Sequence, residues 1–222
     1  MATRSRRPET ATPPTAAPAP LRPARRRAEA PGLRQRILAT AEQLLESEGL
    51  QALSLREVAR RAGVTHQAPY HHFADRESIL AELVTHGFDD LSQRLAQAND
   101  ALATAGRRQA LLLSGAAYVG YAIEHPGVFR VMFRRELCDR TRFPAVMAAS
   151  ERAYSELLRL VALLHGPTQD AALISTYWAL VHGLAGLMTD GPLAEQLPSL
   201  AARRAHMAAT LAAFADRMVG PG

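Results

Sequence analysis

The stretch GVTHQAPYHHF, residues 63–73, constrains the fold of this chain more than any other part of it. It opens with Gly63, which readily takes a positive φ angle at the end of a helix, and Thr65 follows as a candidate N-cap of the next helix. The next residues include three His, one Gln and one Tyr, which form hydrogen bonds but do not fill a core. The segment is therefore predicted to be a short exposed helix on a packed platform.

Capped segments with an apolar helical pattern lie on either side and supply that platform. Upstream, apolar residues recur at helical spacing from Leu33 until Gly49 ends the pattern. A second helix begins at Ser54, with Glu57 at the position that completes a capping box. Downstream, Asp75 caps a longer helix. Two helices separated by a tight glycine turn are typical of a helix-turn-helix, whose second helix enters the major groove of DNA.

The same region is similar to the TetR family of bacterial transcription regulators. The shared motifs are AGVT at residues 62–65, YHHF at 70–73 and DRESIL at 75–80. Two positions depart from the family pattern. Arg76 stands where lysine is usual and keeps the positive charge, whereas Pro69 stands where leucine or threonine is more common. Because proline removes a backbone hydrogen bond, we expect it to bend the start of the recognition helix.

The resemblance implies two folded domains. A DNA-binding domain would cover residues 33–91, with its helix-turn-helix at about 54–73, and an effector-binding and dimerisation domain would cover 92–219. Ahead of them, residues 1–32 carry seven arginines, many prolines and almost no large apolar side chain, so we predict a disordered tail. Contact of this tail with DNA and simple solvation are equally compatible with its charge.

Composition favours an all-α fold of about nine helices, because alanine and leucine dominate and β-branched residues are sparse. Cys138 is the single cysteine, so no internal disulfide forms, and the start of the chain lacks a signal-peptide pattern. We therefore expect cytoplasmic residence. No paired carboxylates, glycine-rich phosphate loop or cysteine–histidine dyad is visible, so neither an enzyme nor a cofactor is predicted.

The segment from residue 171 to residue 188 carries no charged side chain. A membrane span is one interpretation of such a run. The preferred one is a helix buried on all sides, against its own domain and against a second copy of the chain. The resemblance likewise implies a homodimer formed by helices near residues 168–188 and 199–218.

The DNA-contacting side chains are predicted from the helix-turn-helix geometry and from the family pattern. Thr65, His66 and Gln67 at the start of the second helix would meet base edges. Phosphate contacts would come from the remaining candidates, which are Ser54, Arg56, Tyr70, His71 and Arg76. The three histidines at positions 66, 71 and 72 do not have metal-ligand spacing on a short helix, so no metal is predicted.

The resemblance to the TetR family implies a small-molecule pocket in the C-terminal region, which also resembles a TetR subgroup marked by a Trp/His-Gly motif. Core packing is the alternative for each of its aromatic, sulfur and imidazole residues taken singly. The candidate lining residues are Tyr118, Tyr121, Phe129, Met132, Phe133, Trp178 and His182.

The resemblance to the TetR family implies a ligand-responsive repressor that binds a palindromic operator in double-stranded DNA as a homodimer. Two alternatives remain open from the sequence. One is an activator or architectural DNA-binding protein that does not respond to a ligand. The other is a helical small-molecule carrier or enzyme in which the helix-turn-helix is incidental.

Overall fold

The computed structural model describes residues 32–100, 102–139, 141–167 and 170–220, and for residues 102–104 it describes the backbone only. Within these ranges the protein contains nine α-helices and no β-strand, which confirms the all-α prediction. The predicted tail lies outside the described residues except for Gly32. The helices are α1 (Leu33–Glu48), α2 (Leu55–Ala62), α3 (Arg76–Asp100), α4 (Leu102–Glu124), α5 (Pro126–Met132), α6 (Pro144–His165), α7 (Ala171–Thr189), α8 (Pro192–Gln196) and α9 (Leu200–Met218).

Two glycines with positive φ angles end the first two helices at the positions predicted from the sequence. Gly49 follows α1 with φ 78°, and Gly63 follows α2 with φ 66° and ψ 37°. The Ser54 hydroxyl accepts a hydrogen bond from the backbone N–H of Glu57 at 3.1 Å, so the N-cap is present. The second half of the expected capping box is not made, because the Glu57 carboxylate binds Arg60 instead.

The recognition segment, residues 65–73, differs from the expected α-helix. Only Ala68–His71 is helical, as a 3₁₀ helix, and no side chain caps it. The backbone N–H of Ala68 bonds to Thr65 O and that of Tyr70 bonds to Gln67 O, both with 3₁₀ spacing. Pro69 has no N–H to close an α-helical turn onto Thr65, which explains why a full helix does not start there. The predicted Thr65 cap is therefore wrong.

Helix α3 is the longest helix described, and Asp75 caps it as predicted, with its carboxylate accepting from Ser78 N at 2.8 Å. The predicted boundary between the two domains, at residues 91 and 92, falls inside this helix. In α4 the helical backbone is interrupted at Gly106, where φ is 79°. The regular part of α4 therefore starts at Arg107.

One continuous hydrophobic core joins the first helices to the later ones. It contains Ile37 of α1, Val84 of α3, Val119 of α4, Val146 of α6 and Met188 of α7, all at most 2% exposed. A second, smaller cluster joins α4, α6, α7 and α9. The helix-turn-helix thus rests on a core that extends into the C-terminal helices.

Within the single described chain, helix α7 is buried on one face, so the burial on all sides expected from its composition requires the second copy. Its own chain covers one face only, which contains Ile174, Tyr177, Leu184, Ala185 and Met188. The opposite face remains exposed, and its Leu187 side chain is 44% accessible. Among the described helices, α7 is the one long and apolar enough to cross a membrane by length and composition, and 28% of its most apolar window is buried.

Candidate DNA-binding surface and internal cavity

All eight predicted DNA contacts are solvent exposed in the structure. They lie along α2, the recognition segment and the first turn of α3, namely Ser54, Arg56, Thr65, His66, Gln67, Tyr70, His71 and Arg76. Phe73 is 3% exposed and packs into the core. The polar residues of the recognition segment therefore face outward, and its terminal aromatic residue anchors the segment to the platform.

A shallow depression at the N-terminal end of α2 contains two of the predicted phosphate contacts. Its lining includes the exposed side chains of Ser54, Arg56 and His66. Glu57 lies in the same depression, but hydrogen bonds from Arg60 and Arg61 lower the pKa of its carboxyl to about 2. Arg60 and Arg61 are balanced by Glu57 and Glu48, so the net positive charge near the N-terminus of α2, which suits a phosphate group, comes from Arg56.

The guanidinium of Arg76 donates a hydrogen bond to the carbonyl oxygen of Leu50, in the turn that precedes α2. This contact fixes the side chain at the start of α3 and leaves its other N–H groups exposed. In the recognition segment, the rings of His66 and Tyr70 lie 5.7 Å apart. The His66–Tyr70 contact is local to the segment, whereas the Arg76–Leu50 bond joins positions 26 residues apart and could not be predicted from the sequence pattern.

The helices of the C-terminal region form a cavity of about 710 Å³ that is partly open to solvent, a volume typical of small-molecule sites. It is bounded by α3, α4, α6, α7 and α9, together with residues that follow α5. Most of its wall is apolar or aromatic. The residues that matter for its chemistry are Phe88, Leu91, Leu95, Ser114, Tyr118, Phe133, Arg135, Glu151, Tyr154, Trp178 and His182.

Three polar side chains form a connected group in this wall. The Tyr118 hydroxyl lies 2.9 Å from His182 Nδ1, and Trp178 Nε1 donates to the same hydroxyl at 3.4 Å. Burial raises the pKa of the Tyr118 phenol and lowers the pKa of the His182 imidazole below its usual 6.5. Both groups are therefore uncharged near neutral pH, and this part of the cavity can hydrogen-bond a ligand without offering it a charge.

Four of the seven predicted pocket residues line the cavity, and three do not. Tyr118, Phe133, Trp178 and His182 are in its wall. The other three, Tyr121, Phe129 and Met132, are at most 5% exposed and are absent from the lining. Tyr121 and Met132 lie instead against Gly87, where a Cβ atom would meet the Tyr121 hydroxyl at 2.7 Å and Met132 Sδ at 2.9 Å. Tyr121, Phe129 and Met132 are therefore core residues, which was the alternative interpretation from the sequence.

Several cavity residues had not been predicted from the sequence. They lie on all five helices that bound the cavity, with the largest share on α6, and most belong to apolar stripes that do not differ in sequence from ordinary core. The sequence offers one signal, a serine within an otherwise apolar helical stretch, as at Ser114 and Ser175, but it does not show whether the hydroxyl reaches a cavity. Among the described residues, no group of three or more His, Cys, Asp or Glu could hold a metal ion.

Comparison with known protein families gives two matches that cover both halves of the chain. Residues 37–83 match the model of bacterial regulatory proteins of the tetR family, and residues 111–216 match the model of the tetracyclin repressor-like C-terminal domain. The chain belongs to the TetR family. This TetR-family protein is accordingly a DNA-binding transcription regulator and not an enzyme. Neither description names the Trp/His-Gly subgroup, which stays a prediction.

Individual relatives of this regulator agree with the family assignment. It is 29% identical over 111 residues to an uncharacterized HTH-type transcriptional regulator, YobS of Bacillus subtilis, and the match spans 50% of this chain and 56% of that protein. The chain thus spans little more than half the length of this curated relative.

Solved structures show the same fold. A protein of unknown function from Rhodococcus sp. RHA1 superposes with a TM-score of 0.70, at 26% identity over 89% of this chain and 100% of that one. The TetR-family regulator PfmR of Thermus thermophilus superposes with a TM-score of 0.60, at 20% identity over 83% and 97% of the two chains. The TetR-like arrangement of helices therefore extends over most of the described chain.

Proposed function

We propose that this regulator is a homodimeric repressor that binds a palindromic operator and releases it when a small molecule occupies the cavity. The observation that carries the proposal is the course of α3. This helix begins three residues after the recognition segment, at Arg76, and its Phe88, Leu91 and Leu95 side chains line the cavity. A ligand that displaces this wall would move the helix that supports the DNA-binding surface.

A second contact connects the cavity region with the same end of α3. Arg142, in the loop before α6, donates one hydrogen bond to Asp75 at 2.5 Å and one to Glu77 at 2.6 Å. The Arg142 guanidinium holds the pKa of Asp75 below its usual range. Arg135 of the cavity wall is close in sequence to this loop. Movement of the cavity wall would therefore reach the first turn of α3 through α3 itself and through the loop that carries Arg142.

The homodimer is supported by the exposed faces of α7 and α9. In α7 the exposed residues Thr176, Ala179, Gly183 and Leu187 recur at helical spacing along one stripe. A Cβ atom added at Gly183 would meet nothing within 4 Å of its own chain. The exposed side of α9 is rich in alanine. Two such stripes suit close packing against the same stripes of a second copy, as the dimer expected from the sequence requires.

The dimer would place two recognition segments in successive major grooves about 34–36 Å apart. Binding of DNA in the cytoplasm is part of the same proposal. The eight exposed candidate residues would contact the DNA, and Thr65, His66 and Gln67 would contact its bases, as predicted from the sequence. Ala68–His71 forms a short 3₁₀ helix and not a multi-turn α-helix. Fewer side chains of the recognition segment would therefore contact base edges in the major groove.

Selection of bound sequences from random DNA tests this proposal. We expect a palindrome with half-sites about one helical turn apart, recovered by a complex of two chains and one duplex. Recovery of random sequences would favour the carrier alternative. Transcription from a promoter that contains the selected site separates the remaining cases, because a repressor lowers transcript yield whereas an activator raises it.

A further inference from the structure

Ser114 supplies a hydroxyl to the cavity that the protein itself does not use. The residue is 4% exposed and lines the cavity wall on α4. Several other helical hydroxyls in the described chain bond back to a carbonyl one turn earlier, as Thr85 does to Ala81 and Thr176 to Ala172. No such bond is formed by Ser114 Oγ in the part of the chain that the structure describes.

The accessible position of this hydroxyl follows from a second observation. Among the described residues, Asn99 Oδ1 is the one fully enclosed side-chain oxygen or nitrogen without a hydrogen-bond partner. Ser114 Oγ also lacks a protein partner but is not enclosed, so it opens onto the cavity. A buried, unpartnered hydroxyl in an apolar wall costs free energy unless a ligand or water satisfies it.

A second hydrogen-bonding point lies one helical turn further along α4. Trp178 has only a donor to offer, so the Tyr118 oxygen accepts from it. If the Tyr118 O–H donates to His182 Nδ1, the His182 Nε2–H is left unused. If Nδ1–H donates instead, the Tyr118 O–H is left unused. In both tautomers one donor remains for an oxygen atom of a ligand.

Among the described residues, formal charge in the cavity wall is confined to two exposed side chains. Arg135 and Glu151 have opposite signs, and both are exposed to solvent. The inner wall therefore offers a buried ligand neither a cation nor an anion as partner. A carboxylate or ammonium group placed beside Ser114 would be desolvated without compensation.

The extent of the lining gives the size of the ligand. Positions from Leu111 to Tyr118 on α4 span about 10 Å, and positions from Ser150 to Leu160 on α6 span about 15 Å. From these observations we infer that the cavity takes an uncharged, largely apolar molecule with two neighbouring oxygen functions, one bound by Ser114 and the other by the Tyr118–His182 pair. This inference rests on the proposed function and specifies the chemistry of its effector.

Three matched ten-carbon probes test the inference. They are methyl 3-hydroxydecanoate, methyl decanoate, which lacks the hydroxyl, and the 3-hydroxydecanoate anion, with Trp178 fluorescence and calorimetry as readouts. We expect the hydroxy ester to bind about 3- to 10-fold more tightly than the plain ester and about 100-fold more tightly than the anion. Equal or tighter binding of the anion would overturn the inference, as would the absence of saturable binding by either ester.

Two substitutions assign the contacts. Ser114→Ala and Tyr118→Phe should each weaken binding of the hydroxy ester about 3- to 10-fold. The plain ester lacks the hydroxyl, so one of the two substitutions should leave its binding unchanged. Tyr154→Phe is the matched control, because its ring lines the cavity near Trp178 without a described hydrogen bond. If neither Ser114→Ala nor Tyr118→Phe differs from this control, the assignment of the two oxygen sites is wrong.

The same protein preparations should be measured on the selected operator. Retained operator binding together with preference for the anion would refute the ligand class but leave the regulator intact. Failure to select any operator would refute the proposed function, whatever the cavity binds.

Discussion

The Glu46 carboxylate in α1 accepts a hydrogen bond from the backbone N–H of Gly127 at 2.6 Å, and a second one from Val128 N at 3.0 Å. These donors belong to the first turn of α5, so a side chain of the DNA-binding region caps a helix of the C-terminal region. The approach is close: a Cβ atom at Gly127 would lie 2.6 Å from the carbonyl oxygen of Leu45. Glycine is therefore required there by contact with α1.

Removing this cap should destabilise the protein. We expect Glu46→Ala to lower the free energy of unfolding by about 1–3 kcal/mol, because two backbone N–H groups lose a charged acceptor. Glu46→Gln keeps one acceptor oxygen and should lose less. Chemical denaturation followed by circular dichroism measures both variants. Equal stability of Glu46→Ala and the parent protein would contradict the structural role of this contact.

Introduction of a charge on the exposed stripe of α7 should prevent dimer formation without unfolding the chain. Gly183→Arg is suitable because its own chain leaves space around Gly183. Light scattering after size-exclusion chromatography should show a single chain with unchanged helicity. Gly120→Arg is the control, since Gly120 on α4 is equally open within the chain and should leave the dimer intact. A dimeric Gly183→Arg would place the interface elsewhere.

Substitutions at two residues of the DNA-binding surface should distinguish contacts to bases from contacts to phosphate groups. We expect Gln67→Ala to relax sequence preference, whereas Arg76→Ala should weaken binding to every sequence and reduce the salt slope by about one. Part of the Arg76 effect comes from loss of its hydrogen bond to Leu50 O, so unfolding curves must accompany the binding data. Fluorescence anisotropy with the selected site and a scrambled site gives the comparison. Equal losses for both variants on both duplexes would contradict the assignment.

The lowered pKa of His182 predicts a pH dependence of stability. Folding disfavours the protonated imidazole, so the unfolded chain binds more protons below the usual pKa of 6.5. Stability should therefore fall as pH drops below about 6.5, and it should do so less in His182→Gln. His86→Gln serves as the control, because His86 is exposed on α3. Parallel curves of unfolding free energy against pH for the parent and His182→Gln would rule out this contribution.

Much of the DNA-binding region could be predicted because its determinants are local. Gly49, Gly63 and Asp75 fix helix ends through their own backbone or side chain, and all three have the expected role. The exceptions also have local causes. Pro69 shortens the recognition segment to a 3₁₀ helix, and Glu57 binds Arg60 and Arg61 in preference to completing a capping box.

The cavity was harder to predict because its wall is assembled from distant helices. Apolar periodicity shows which residues face inward, but it does not separate a filled interior from an empty one. Tyr118 and Tyr121 lie on the same helix, yet only Tyr118 reaches the cavity, whereas Tyr121 packs against Gly87. The open Ser114 hydroxyl likewise becomes meaningful only when the absence of a carbonyl partner in the described structure is known.

The uncovered face of α7 has a consequence for the amount of protein in the cell. In the proposed dimer that face is protected only while two chains are associated, so dilution below the dissociation constant exposes it and lowers stability. Newly made chains at low copy number would then be the first substrates of proteolysis. Repression would consequently respond to the abundance of the regulator more steeply than a one-chain binding curve predicts.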